Sequence, residues 1–139
     1  LFIVKPNYMF LGEKDFQQFF LIKKYIKNKF KTKIVLCKTI RDKRYIPLSS
    51  RNKLLTKKNL TTVSKISIKL NLLKKKIKKN FKHINKINYI KNLITKKYNV
   101  KFDYLEARNE YDLSNIKKNK KFRLFVAYHI GGVRLIDNF

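Results

Sequence analysis

A single cysteine, Cys37, stands in 139 residues, so no intramolecular disulfide framework and no cysteine-built zinc site is available. That usage suits a reducing compartment, and Cys37 itself is expected in the core. Apolar runs are short: "QQFFLI" falls far below the roughly 20 residues of a membrane-spanning helix. The first residues, "LFIVKP", carry neither a basic leader region nor a cleavage signal and read like entry into the middle of a protein. Histidine occurs only as His83 and His129, expected on a helix surface and on a strand respectively. Acid is scarcest relative to its counterpart, with 8 Asp and Glu against 36 Lys and Arg and a formal net charge of +28. None lies between Lys43 and Phe102.

Such a charge attracts polyanions, which makes nucleic acid or an acidic membrane one reading. The other is compositional. Lysine far outnumbers arginine and comes with abundant Asn, Ile, Tyr and Phe, the residues of AT-rich codons. The second is favoured, because the lysines are spread along the chain without a nucleic-acid-binding signature.

What is present suffices for a globular core: 44% of residues are apolar and 14% aromatic. "FIV", stopped by Pro6, reads as the end of a strand. From Asp15, the apolar positions Phe16, Phe19, Phe20, Ile22, Tyr25 and Ile26 predict a helix ending near Phe30. "KIVLCKTI", Lys33 to Ile40, is β-branched and compact, a buried strand. Strand, loop, helix and strand make a βαβ unit and hence a piece of parallel sheet. "RDKRYIP" reads as a polar loop. Leu60, Val63, Ile66, Leu70, Leu73, Ile77, Phe81, Ile84 and Ile87 then recur at three- and four-residue spacing. They predict two helices, broken between Asn80 and Asn85, the second reaching about Lys97. "VKFDYLEARN", "FRLFVAYHI" and "VRLIDNF" alternate like strands, with Gly131 and Gly132 turning between the last two. The expected organisation is a parallel α/β part over 1–52, then an α+β domain over 53–139 with an antiparallel sheet.

Two stretches carry chemistry. "GEKD", Gly12 to Asp15, falls at a strand-to-helix junction, where open α/β sheets bind ligands beside free backbone N–H groups. Gly12 permits close approach of a ligand, Lys14 can neutralise a phosphate, and Asp15 can accept from ribose hydroxyls while capping the helix. Gln17 and Gln18 offer amide groups to a small polar substrate. The same residues are equally a capped helix with a surface lysine and glutamines. In "LSSRN", Ser49 and Ser50 supply hydroxyls and Arg51 a guanidinium, the groups of a polyphosphate clamp. A serine cap with an incidental arginine is the plainer alternative.

Taken in order, "FLGEKDFQQ", "TIRD", "LSSRN" and "GGVRLIDN" resemble the pantothenate synthetase (pantoate–β-alanine ligase) family over nearly the whole chain, specifically its carboxyl-terminal half. The basic middle, Lys53 to Lys101, matches only in helical pattern. The resemblance implies a partial Rossmann-like, class I nucleotidyltransferase sheet followed by a small α+β domain acting as a lid. It implies ATP-dependent condensation of pantoate with β-alanine through a pantoyl adenylate, releasing pyrophosphate and then AMP. Magnesium accompanies the ATP, with no metal ligand assigned in this chain. By position, Gly12 and Asp15 would meet the ribose, Lys14 a phosphate, Ile40 the adenine and Gln18 pantoate. Ser49, Ser50 and Arg51 would form the phosphate loop, and Lys14 with these three would serve catalysis. "RLIDN" would serve the fold. A homodimer is expected of full-length members, with a cytoplasmic location and neither specific nucleic acid nor membrane as partner.

Two departures qualify the resemblance. Before "SSRN" the family has an acidic residue, glycine, leucine and a small residue; here stand Arg44, Tyr45, Ile46 and Pro47. The family's histidine motif and a further pantoate-binding glutamine are absent from this sequence. The expectation is therefore a chain incomplete as an enzyme. The competing expectation is a basic helical nucleic-acid-binding protein, and a third is a decayed gene remnant.

Overall fold

The computed structural model describes residues 1–26 and 29–139. By packing, it forms two units, Leu1–Ile40 and Arg41–Phe139. This division comes earlier than the functional one expected after Asn52, because the "RDKRYIP" segment is bonded into the second unit.

The first unit is a βαβ arrangement. Strand β1 (Tyr8–Gly12) leads through a 3-10 turn, Glu13–Asp15, into helix α1 (Phe16–Ile26) and then strand β2 (Lys33–Cys37). The strands pair in parallel, Tyr8 with Lys33 and Gly12 with Cys37. "FIV" is not the strand: Phe2, Ile3 and Val4 form an exposed turn before it. Pairing starts beyond Pro6, whose carbonyl accepts from Thr32 Oγ1 at 2.8 Å while Lys33 N donates to the Asn7 carbonyl at 2.9 Å. Helix α1 buries Phe16, Phe19 and Ile26, one stripe at helical spacing. The helix end expected near Phe30 involves Lys27 and Asn28, which lie outside the described residues. Strand β2 is shorter than expected and only half-buried, Cys37 is exposed rather than in the core, and Ile40 lies beyond the strand.

The second unit opens on the anchored loop. Arg41 pairs with Pro47 across an antiparallel bridge, and Asp42 N donates to the Ile46 carbonyl at 2.9 Å. The loop is less polar than its sequence suggests, since Ile46 is 1% exposed and joins the core. A 3-10 turn, Ser50–Leu54, precedes helix α2 (Lys57–Lys79), which Thr56 caps by accepting from Asn59 N. Asn80 ends α2 and accepts from Lys82 N at 3.0 Å, starting the 3-10 turn Phe81–Lys86. Helix α3 (Ile87–Tyr98) stops at Asn99, whose φ of +49° is left-handed. The helix break falls where it was expected.

Strands β3 (Lys101–Asn109), β4 (Phe122–Ile130) and β5 (Val133–Asn138) form an antiparallel sheet in sequence order. Gly131 and Gly132, at φ +55° and +76°, make the tight turn that a Cβ would strain. Ile66, Leu70, Ile77 and Ile94 from the helices meet Leu124 and Val126 of β4 in one core. Each such side chain contributes about 1.5–3 kcal/mol by leaving water. That burial has to hold α2 and α3, which contain no acidic residue to pair with their lysines.

Candidate active site

In the first unit the carboxyl ends of two adjacent parallel strands come together, because Gly12 is registered with Cys37. Glu13 closes this edge: its Oε2 accepts from Thr39 N at 3.3 Å, joining the turn after β1 to the segment after β2. Gly12, Lys14, Asp15 and Gln18 therefore share one edge with the segment leading to Ile40. Gly12, Asp15 and Gln18 are exposed, and Lys14 is half-buried. No atom lies within 4 Å of a Cβ built on Gly12, so the space over it is open. Asp15 ends the 3-10 turn and directly precedes Phe16, the first residue of α1. Ile40 is 70% exposed, an apolar side chain against which a flat ring can lie.

In the second unit Ser49 is the N-cap of the turn Ser50–Leu54, and its Oγ accepts from Arg51 N at 3.3 Å. The oxygen accepts there, so the hydroxyl proton remains a donor for an anion. Ser50 and Arg51 are exposed. Asn52 Nδ2 donates to the Pro47 carbonyl at 2.9 Å and fixes the turn to the loop before it.

That loop is built around Asp42. Its Oδ1 accepts from Arg44 N and Ile46 N, both at 2.9 Å, and its Oδ2 from the Arg44 guanidinium at 2.9 and 3.0 Å. Desolvation pushes the Asp42 pKa up, but the hydrogen bonds from Ile46 and Arg44 outweigh it and hold the carboxyl below its ordinary value. Tyr45, at the position where the resembled family has glycine, takes φ +68°. Ser64 Oγ donates to the Arg44 carbonyl at 2.6 Å, attaching the loop to α2.

The sequence reading missed the residues under this loop. Arg41 makes a forked ion pair with Asp137, Nη1 to Oδ2 and Nη2 to Oδ1, both at 2.8 Å. The available signal was an acid inside "RLIDN", in a chain that spends only 8 of them. A separate cavity of about 1280 Å³ in the second unit is lined by lysines, among them Lys74, Lys78, Lys118 and Lys121, with Glu110. None of the expected site residues lines it.

The sequence model of the family described as Pantoate-beta-alanine ligase matches residues 1–139. The chain belongs to the pantoate–beta-alanine ligase family. It is 36% identical over 140 residues to a pantothenate synthetase of Flavobacterium psychrophilum, covering 98% of this chain and 49% of the relative. To a pantothenate synthetase of Francisella tularensis subsp. novicida it is 39% identical over 138 residues, covering 99% and 44%. The chain thus spans about half the length of the curated relatives it matches. The crystal structure of a Francisella tularensis pantoate-beta-alanine ligase, complexed with beta-gamma ATP and beta-alanine, superposes with a TM-score of 0.71 at 34% identity. That match covers 100% of this chain and 45% of the other. A pantothenate synthetase structure from Thermus thermophilus gives a TM-score of 0.83 at 21% identity, covering 99% and 51%, and shows that the α/β fold is shared. These likenesses give the nucleic-acid-binding alternative no support. No helix among the described residues is long and apolar enough to cross a membrane.

Proposed function

We propose that this chain supplies one half of an AMP-forming pantoate–β-alanine ligase. The observation that carries the reading is the Gly12–Gln18 junction at the carboxyl edge of β1 and β2, in a chain of this family. In the first step a pantoate carboxylate oxygen bonds to the α-phosphorus of ATP and the bond to pyrophosphate breaks. In the second the β-alanine nitrogen bonds to the acyl carbon, AMP leaves, and the nitrogen loses a proton. Both steps need charge neutralised and reactants aligned more than they need a covalent partner. Lys14 would neutralise a phosphate, and Asp15 and Gly12 would receive the ribose. Ile40 would face the adenine, and Gln18 would hydrogen-bond pantoate. Ser49, Ser50 and Arg51 would hold the leaving pyrophosphate.

No cluster of three or more His, Cys, Asp or Glu gathers among the described residues. Magnesium would accompany the ATP and help neutralise its phosphates. A cytoplasmic enzyme, dimeric as the whole protein, completes the reading.

Titrating ATP into isotope-labelled chain should shift the amides of Gly12–Gln18 and of Ser49–Arg51. Lys14→Ala should weaken that binding about tenfold, the scale of one lost charge-assisted hydrogen bond. A titration that leaves both sets of amides unmoved would sink the reading. With ATP, pantoate and β-alanine, AMP release by the chain alone is expected at background. Turnover that disappears in Lys14→Ala would show the chain sufficient by itself.

A further inference from the structure

We propose that Arg41 and Asp137 are positioning residues for the phosphate loop, so that the final strand of the chain governs how Ser49–Arg51 meet a polyphosphate. The proposal rests on the reading of Ser49–Arg51 given above.

The geometry is specific. Beyond its two bonds to Asp137, Arg41 Nη2 donates to the Asn138 carbonyl at 3.0 Å and Nη1 to the Tyr45 carbonyl at 3.2 Å. The guanidinium carbon lies 5.0 Å from the Tyr45 ring centre and 4.8 Å from that of Phe139. The pair is largely removed from water, with side-chain exposures of 15% for Arg41 and 6% for Asp137. Asn138 N also donates to Asp137 Oδ1 at 2.8 Å, which fixes the carboxylate on its own strand. A planar fork held against two rings sets both the place and the orientation of Arg41, which a point charge would not.

The orientation is passed along the backbone. Arg41 bridges to Pro47, the Pro47 carbonyl accepts from Asn52, and Ser49 lies between the two. Strand β5 also packs beside the turn Ser50–Leu54. The anchor thus determines where the two serine hydroxyls and the Arg51 guanidinium are presented, without itself touching a phosphate.

The test compares pyrophosphate with AMP as probes, by titration against the full chain. Pyrophosphate should engage Ser49–Arg51; AMP lacks the phosphates that would. In Asp137→Asn and in Arg41→Lys, pyrophosphate affinity should fall about five- to tenfold while AMP affinity stays within twofold. Arg41→Lys retains a charge beside Asp137, so it decides the matter if Asp137→Asn does not fold. The exchanged pair Arg41→Asp with Asp137→Arg should recover part of the loss, which a merely destabilised loop would not do. Unchanged pyrophosphate affinity in folded Arg41→Lys, or an equal loss for AMP, overturns the proposal while leaving the reading of Ser49–Arg51 intact. Failure of pyrophosphate to move the Ser49–Arg51 amides of the unmutated chain overturns both.

Discussion

Tyr45 holds a backbone conformation that most side chains avoid. At φ +68° its Cβ crowds the neighbouring carbonyl, at a cost of about 1–2 kcal/mol. The loop retains it because other contacts overdetermine the turn. Tyr45 N donates to the Asp42 carbonyl at 2.9 Å, Asp42 receives the amides of Arg44 and Ile46, and the ring lies against the Arg41 guanidinium. A cation over an aromatic ring contributes about 0.5–1 kcal/mol at a partly exposed site, which offsets much of the strain. Tyr45→Gly removes both terms and should change stability by less than about 1 kcal/mol. Tyr45→Val loses the ring but keeps the strain and adds a branched Cβ, so it should lie at least about 1 kcal/mol below the glycine variant. Urea denaturation of the two variants side by side measures the difference. Equal midpoints would mean that the loop relaxes out of the left-handed region.

Helix α2 shows the same logic at the scale of an element. With no carboxylate on the helix, its main apolar attachment is the stripe Val63, Ile66, Leu70, Leu73 and Ile77, all buried. Ile66 is 0% exposed, and truncating it to Ala should cost about 2–5 kcal/mol. The exposed neighbour Lys65→Ala should stay within about 0.5 kcal/mol. Denaturant unfolding checks both, and a small effect at Ile66 would mean that α2 packs less tightly than its burial implies. This stripe was legible in the sequence because burial on one helix face imposes a period that residue types report directly. Strand β4 does not alternate: it is buried continuously from Leu124 to Tyr128, so its apolar content and length rather than a period made it legible. The first strand was misread because "FIV" has the composition of a strand, whereas pairing is decided by where Thr32 and Lys33 bond to Pro6 and Asn7. Cys37 was misplaced because a core position was assumed for a strand that, as described, has a single partner. At the candidate site, "GEKD" was legible since strand-to-helix junctions depend on local order. The Arg41–Asp137 pair was not, since 96 residues separate its members.

For the whole molecule the question is which sign electrostatics takes in a chain of net charge +28. Among the described residues arginine makes five close pairs: Arg41 with Asp137, Arg44 with Asp42, Arg108 with Glu106, Arg123 with Glu110 and Arg134 with Asp103. These contacts span at most 3.2 Å, well inside any screening distance, and salt weakens them least where they are buried, as at Asp137. The repulsion among the remaining cations is different in kind. It acts between like charges through solvent rather than at contact distance, and it is what salt removes. Raising ionic strength from 0.01 to 0.15 M shortens the screening length from about 30 to about 8 Å. The repulsive part should therefore fall further than the attractive part, and the folded state should gain. The expected outcome is a melting temperature about 3–4 °C higher in 0.15 M sodium chloride, equivalent to roughly 1 kcal/mol for a chain of this size. Scanning calorimetry at the two concentrations reads it. A melting temperature that falls with salt would mean instead that the arginine–carboxylate pairs dominate, and that the lysine excess costs the fold nothing.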